Sequence, residues 1–453
     1  MRKAAVIGGG GVRTPLLIHG IARARETLGI EELCLFDIDT ARAGIIARLG
    51  REIVRRLDGG FEILVESRLE DAVQGATFIL NSIRAGGMAA RARDERIAID
   101  HGVTGQETTG PGGAAMALRT LPVTLGHARI VERVAPEAWF INFTNPAGLM
   151  TQALTEYTSL RVIGICDTPS ELFHRIAWAV GAPYEEMEFD YAGLNHLGWV
   201  RAVRHGGSDI TDRILNDPGI LRRLYPADLF DPVLIQTLRL IPTEYVFFYY
   251  SRQRAYRNEV VAGATRGEEL EKLNTALFQR LGSDEPATAL SEYRAYLLRR
   301  NASYLQLEAR AGSAFTSVAE HYDPFETPTG YHRIALDVML GLGTGGARGV
   351  VLNVRNDGTV DDLRPADVIE VPCDIDVHGA RPRRVGTLPS SVRGLVESVK
   401  EYERTLIRAS LAGSRDLARL ALLEYPLVGE WELAGELLEA LIAADPDGLG
   451  YLR

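Results

Sequence analysis

Through the first 165 or so residues, short apolar runs alternate with longer stretches of helical periodicity. Residues 3–7, 33–37, 61–66, 76–82, 138–146 and 160–167 are mostly apolar and end in glycine or polar residues. Strands of a parallel sheet read this way because both faces of the sheet are covered. Between them, residues 15–28, 40–57 and 114–134 carry the spacing of helices, and Pro15 suits a first helical turn. This alternation predicts an α/β protein, a Rossmann-type doubly wound, mostly parallel sheet with helices on both faces.

After Asp167 the pattern changes. Residues 189–194 and 198–204 read as paired strands, 347–358 as a strand reaching a hairpin turn at Asn356, Asp357 and Gly358, and 368–376 as another strand. Helices are expected over 217–225, 269–304, 391–412, 414–422 and 430–443. The expected organisation is a nucleotide-binding domain over 1–165 and an α+β domain over 166–453, closely packed. At about 150 residues per domain, 453 residues fit two or three units.

Composition narrows the class. With 46% hydrophobic and 24% charged residues, disorder and disulfide scaffolds are excluded. Cys34, Cys166 and Cys373 are far apart with no CxxC pair, which argues against a zinc ribbon. Few cysteines and no secretory leader fit a reducing cytoplasm. No run of about 18 apolar residues offers a membrane span. A net charge of -10 argues against nucleic acid as the main partner, but a locally basic pocket can still take a small anion.

Candidate chemistry lies where the strands end. Gly8, Gly9, Gly10 and Gly11 follow a strand and precede a helix, and Asp37 ends the next strand. In that context a glycine turn points to a dinucleotide: glycines admit the pyrophosphate, the helix amino terminus meets its charge, and the acid binds ribose hydroxyls, favouring NAD. Arg13 stands where the third glycine of the motif would be. Asp39 is a rival for the ribose. Arg13 fits a phosphate of cofactor or substrate, or a surface ion pair. After residue 82, Arg84, Arg91, Arg93 and Arg96 are dense, and Glu107 follows in QETTGPGG. Basic groups at a sheet's carboxyl edge suit an anionic ligand, although a solvated charged helix would read the same way. Asn142 and Asn145 end one strand, Cys166 and Asp167 another. Asn195 and His196 sit in GLNHLGW. A thiolate and an imidazole can share a divalent metal; taken singly they read as a core thiol and a structural histidine. Tyr245, Tyr249 and Tyr250 form an aromatic stripe from which one tyrosine could serve as a base.

The strings IGGGGVRTP, GGMAARARDE, GQETTGPGG, INFTNPAG, GICDTP, YAGLNHLGW, IPTEY and TRGEE, in this order, resemble the NAD- and metal-dependent glycoside hydrolases of family 4. VVLNVRNDGTVDDL, VIEVPCDI and KEYERTLIRASL extend the resemblance over nearly the whole chain. It implies an architecture like that of lactate and malate dehydrogenases. NAD would be bound by Gly8, Gly10, Gly11 and Asp37, with Arg13 alongside, and a divalent metal, usually Mn²⁺, by Cys166 and His196. Asn145 and Asn195 would contact the sugar with Glu107 close by, and Arg91 and Arg266 would lie near a substrate phosphate. Tyr245 would be the base and Asp167 the acid.

The resemblance also implies the reaction. Family 4 is an exception to the two-carboxylate scheme of glycosidases. Oxidation at C3 acidifies the C2 proton, the base removes it, the aglycone leaves from C1, water adds, and the hydride returns. The expected substrate is a 6-phospho-β-glucoside. A 6-phospho-α-glucoside or an unphosphorylated glycoside is the alternative within the family, and a malate- or lactate-type dehydrogenase or an idle NAD-binding sensor outside it. Asp167 resembles the α-specific members, whereas NHLGW and EYPLVG resemble the β-type. Gly11-Val12-Arg13 replaces the Ser-Ser-Tyr common in the family, and residues 312–324 differ from the GGAYYS-like segment of phospho-β-glucosidases. An assembly of two or four copies is expected.

Overall fold

The computed structural model describes residues 2–225, 229–283, 285–304 and 323–453. Six strands run parallel: β1 (Arg2–Ile7), β2 (Ile30–Phe36), β3 (Glu62–Glu66), β4 (Ala76–Asn81), β5 (Trp139–Asn142) and β6 (Arg161–Gly164). Their spatial order is β3-β2-β1-β4-β5-β6, so the chain reverses direction between β1 and β4. At such a switch point the loops after the strands diverge and open a crevice at the carboxyl edge. Ala4, Ala5, Val6, Ile7, Ile79, Leu80, Phe140 and Ile141 are almost fully buried, as apolar strands covered on both faces must be.

The sheet does not stop at residue 165. β7 (Met187–Leu194), β8 (Leu197–His205), β9 (Ser208–Asp209), β10 (Ile241–Pro242), β11 (Ala347–Arg355), β12 (Val368–Asp376) and β13 (Gly379–Pro382) extend it with antiparallel pairings. Two seams join them: β6 to β11 through Gly164 and Asn353, and β7 to β12 through Gly193 and Glu370. Both seams use glycine. A Cβ at Gly164 would press on Asn353 Cβ at 2.8 Å across the first seam, and one at Gly193 would collide with Gly198 inside the β7–β8 hairpin.

Several elements differ from expectation. The helix expected over 269–304 is two, Arg266–Ser283 and Pro286–Ala302. Pro286 cannot donate a backbone hydrogen bond and begins a new helix instead. The helix expected over 217–225 shrinks to Pro218–Leu221. The turn at Asn356 is not a tight hairpin, because Arg355 pairs with Val368 across a long loop. The buried Asn356 side chain organises that loop by donating to Val360 O at 2.9 Å and Leu363 O at 3.0 Å. The arginine-rich stretch after residue 84 forms the helix Gly87–Asp100, yet it buries Arg91, Asp94 and Glu95. Residues 312–322, where a departure from the family was expected, lie outside the described residues. No described helix is long and apolar enough to cross a membrane.

Candidate active site

The glycine turn closes β1. Gly8 has φ +89°, and a Cβ there would strike the Ser82 carbonyl. Gly10 N–H donates to Asp37 Oδ2 at 2.9 Å, and Asp39 N–H to Asp37 Oδ1 at 3.0 Å. The Asp37 carboxylate is thereby fixed at the end of β2 with acceptor capacity remaining on both oxygens. Asp39, the rival, is occupied as the helix cap, accepting from Arg42 N–H at 2.9 Å. A side-chain-free turn, a helix amino terminus and an oriented carboxylate fit the pyrophosphate and ribose of NAD.

Asn81 and Asn142 lock the ends of β4 and β5. Asn81 Nδ2 donates to Asn142 Oδ1 and to Thr144 Oγ1, both at 3.0 Å. Asn145 follows, joined to Pro146 by a cis bond, with Nδ2 3.5 Å from Tyr331 Oη and Oδ1 buried without a partner. Cys166 and Asp167 end β6 and lead into the helix Thr168–Val180. Burial, with Glu370 and Asp167 adding, pushes the Cys166 thiol well above its ordinary value. A thiolate there needs a cation beside it.

His196 stands at the tip of the β7–β8 hairpin with φ +62°, a strained conformation for a residue with a side chain. Its Nδ1 lies 2.9 Å from Thr108 Oγ1. The Thr108 hydroxyl has one proton, and Gln106 Oε1, 3.1 Å away, can only accept it. With the Thr108 proton directed to Gln106, Thr108 accepts from His196 Nδ1–H and Nε2 is the unprotonated nitrogen. Nε2 is buried and has no hydrogen-bond partner. Burial lowers the His196 pKa to about 4, so the ring is neutral at pH 7. This donor set, an imidazole nitrogen with its tautomer fixed and a buried thiol, fits a divalent metal. Among the described residues no group of three or more His, Cys, Asp or Glu could hold one.

Tyr245 stacks on His196 with ring centroids 3.9 Å apart. Burial, with Glu107 nearby, holds its hydroxyl well above the ordinary tyrosine pKa. Glu107 bridges Arg84 Nη2, at 2.7 Å, and Arg91 Nη1. Burial opposes its charge, yet Arg91, Arg84 and Arg300 hold its pKa down at about 2. Arg91 also donates from Nε to Glu95 at 2.7 Å.

Two expected sugar and phosphate contacts have inward partners. Asn195 donates to Glu370 Oε1 at 3.1 Å and accepts from Gly148 N–H at 3.4 Å. Arg266 donates to Ser303 O at 2.8 Å and Arg300 O at 2.9 Å, holding the end of the helix Pro286–Ala302. Arg13, expected to serve the cofactor, has Asp167 facing it and lies over the Tyr331 ring at 4.9 Å. The sequence reading missed Thr108, Arg300, Tyr331 and Glu370. Glu370 lies on the seam, accepting from Tyr191 Oη at 2.7 Å and from Asn195 and Asn353 at 3.1 Å; burial still raises its pKa to about 7. A carboxylate inside an apolar strand, VIEVP, was the available signal.

The fold is that of a dehydrogenase-like α/β protein. Malate dehydrogenase of Plasmodium falciparum superposes with a TM-score of 0.51 at 13% identity, over 92% of this chain and 99% of that one. Residues 3–181 match the profile of the family 4 glycosyl hydrolases, and residues 191–428 that of the family's carboxyl-terminal domain. A probable 6-phospho-β-glucosidase of Bacillus subtilis is 30% identical, over 98% of this chain and 96% of the relative. The 6-phospho-β-glucosidase of Thermotoga maritima, solved with NAD and glucose 6-phosphate, superposes with a TM-score of 0.85 at 28% identity, covering 100% and 99% of the two chains. A second structure of it, with manganese as well, gives 0.82 at 27% identity, covering 100% of both chains. The chain belongs to family 4 of the glycosyl hydrolases.

Proposed function

We propose that this protein is a 6-phospho-β-glucosidase that uses NAD and a divalent metal, Mn²⁺ in the first instance. The observation that carries the site chemistry is the free, buried Nε2 of His196, its tautomer set by Thr108 and its ring stacked on Tyr245. The relatives' names support the substrate class and the anomer. NAD bound over the glycine turn supplies reversible oxidation at C3 of the sugar. A metal held by Cys166 and His196 supplies Lewis acidity toward oxygens on the sugar ring.

The chain's own groups then divide the work. Tyr245 takes the C2 proton, which the C3 ketone has made acidic. Burial keeps the Tyr245 phenol protonated, and a cation held by Cys166 and His196 would offset that burial. Asp167, held protonated more readily by burial, supplies a proton to the departing aglycone oxygen. Glu107 keeps Arg84 and Arg91 fixed at the cleft wall. Asn145, with an unpaired buried carbonyl, offers an acceptor to a sugar hydroxyl. The enzyme works in the cytoplasm as a dimer or tetramer of this chain.

The test is hydrolysis of p-nitrophenyl β-glucoside 6-phosphate, its α anomer and the unphosphorylated β-glucoside, with NAD and Mn²⁺ under reducing conditions. Cleavage of the phosphorylated β substrate, abolished by chelator, is expected. Cleavage restricted to the α anomer or the unphosphorylated sugar would move the substrate class; turnover unaffected by chelator would reject the metal.

A further inference from the structure

Arg13 stands at the amino-terminal end of the helix Thr14–Arg23, makes no side-chain cap hydrogen bond and is open to solvent. Asp167, Tyr331, Tyr296 and Tyr293 face it. Tyr293 also ties this turn to the helix Pro286–Ala302, donating from Oη to Val12 O at 2.7 Å. Arg300 approaches from the last turn of that helix and is partly open to solvent. Its Nη1 donates to Tyr296 Oη at 3.3 Å. Arg13 and Arg91 lie close enough to repel its charge, and Glu107 and Asp167 close enough to feel it.

Arg13, Arg84, Arg91 and Arg300 converge on Glu95, Glu107 and Asp167. Arg84 and Arg91 are committed to Glu107 and Glu95. Among the described residues neither Arg13 nor Arg300 forms an ion pair, so their guanidinium forks are the ones left to engage a ligand. Like charges brought together repel, and an anion that joins them relieves the repulsion. Two guanidiniums from separate elements need an anion with more than two oxygens to engage both forks. A phosphate monoester, a dianion with three free oxygens, meets that requirement better than a carboxylate.

We infer that Arg13 and Arg300 grip the phosphate of the substrate and set the specificity of the cleft, a proposal that rests on the phosphoglycosidase reading above. Arg91 and Arg266 then act from behind. Arg91 fixes Glu107, and Arg266 holds the carbonyls of Arg300 and Ser303, so the Arg300 side chain leaves a rigid helix end.

The test uses the enzyme loaded with NAD and Mn²⁺. Arg13→Ala, Arg300→Ala and the matching lysine variants are assayed on p-nitrophenyl β-glucoside 6-phosphate and on the unphosphorylated glucoside. Inhibition by glucose 6-phosphate and by inorganic phosphate is measured in parallel. Each alanine variant is expected to raise KM for the phosphorylated substrate at least 10-fold and to reduce the preference for it over the unphosphorylated one at least 10-fold. Inhibition by glucose 6-phosphate weakens in step, and lysine restores part of the loss. Thermal melting and NAD binding check folding; if an alanine variant fails there, the glutamine variant takes its place under the same criteria. A wild-type preference for phosphate that survives both substitutions overturns the pair and leaves the phosphoglycosidase reading standing. A wild type with no such preference overturns both.

Discussion

The imidazole of His196 and the phenol ring of Tyr245 lie face to face, 3.9 Å between centroids and 5° from parallel. The residue assigned to the metal and the residue assigned as base therefore share one rigid stack. A cation held by His196 would favour the phenolate form of the stacked tyrosine. Tyr245→Phe preserves the stack and removes the acid–base group. Its expected effect is a loss of kcat of about 100-fold or more, with exchange of the substrate C2 proton into solvent falling equally and NAD affinity unchanged. Undiminished C2 exchange in that variant would remove Tyr245 from the role of base.

The Thr108 hydroxyl is the hydrogen-bond partner of His196 Nδ1, at 2.9 Å, and its acceptor role would direct the proton to that nitrogen. Thr108→Val keeps the shape and loses the acceptor. Mn²⁺ affinity is expected to drop about 10- to 100-fold, measured by calorimetry or by activity against titrated metal. Cys166→Ser, which replaces the proposed thiolate ligand, is expected to weaken binding further. Metal affinity indifferent to both substitutions would place the ion elsewhere.

Asp37 is held by Gly10 N–H and Asp39 N–H, so its free lone pairs point outward at the end of β2. Asp37→Ala should weaken NAD binding about 10-fold or more, by about the worth of charge-assisted hydrogen bonds, and narrow the discrimination against NADP. Fluorescence titration with both dinucleotides reads this directly.

Glu107 gives a pH signature. Its folded-state pKa of about 2 lies below the ordinary value of about 4.3. A carboxylate lowered on folding contributes stability that is present above the unfolded pKa and is lost as pH falls through the folded one. The wild type should therefore be more stable than Glu107→Gln at neutral pH, on the order of 3 kcal/mol. That gap should narrow between about pH 4.3 and about pH 2. Denaturant melts of both proteins across that range check it; a gap independent of pH would show that the ion pairs with Arg84 and Arg91 do not carry the difference.

Much of the nucleotide-binding half was legible because its signals are local. The six parallel strands announce themselves as apolar runs, the glycine turn requires residues that admit φ +89° at Gly8, and Asp37 follows at the next strand end. Cys166, His196 and Tyr245 were legible as chemical types in strings shared with a family. Other features were not written locally. Nothing in the spacing of Thr108 and His196, 88 residues apart, says that one fixes the tautomer of the other. Nothing in RRNAS says that Arg300 comes within range of the charges of Arg13 and Arg91. Nothing near Arg266 says that its fork would close on the end of a neighbouring helix.

The sequence by itself determined the strands, the turn and the chemical inventory, since these follow from backbone geometry and hydrophobic period within a few residues. Tertiary structure decided which charges stand together and which partner each retains. Hydrogen bonds and ion pairs act over a few ångströms, and only the folded sheet, with its two glycine seams, brings positions hundreds of residues apart within that range.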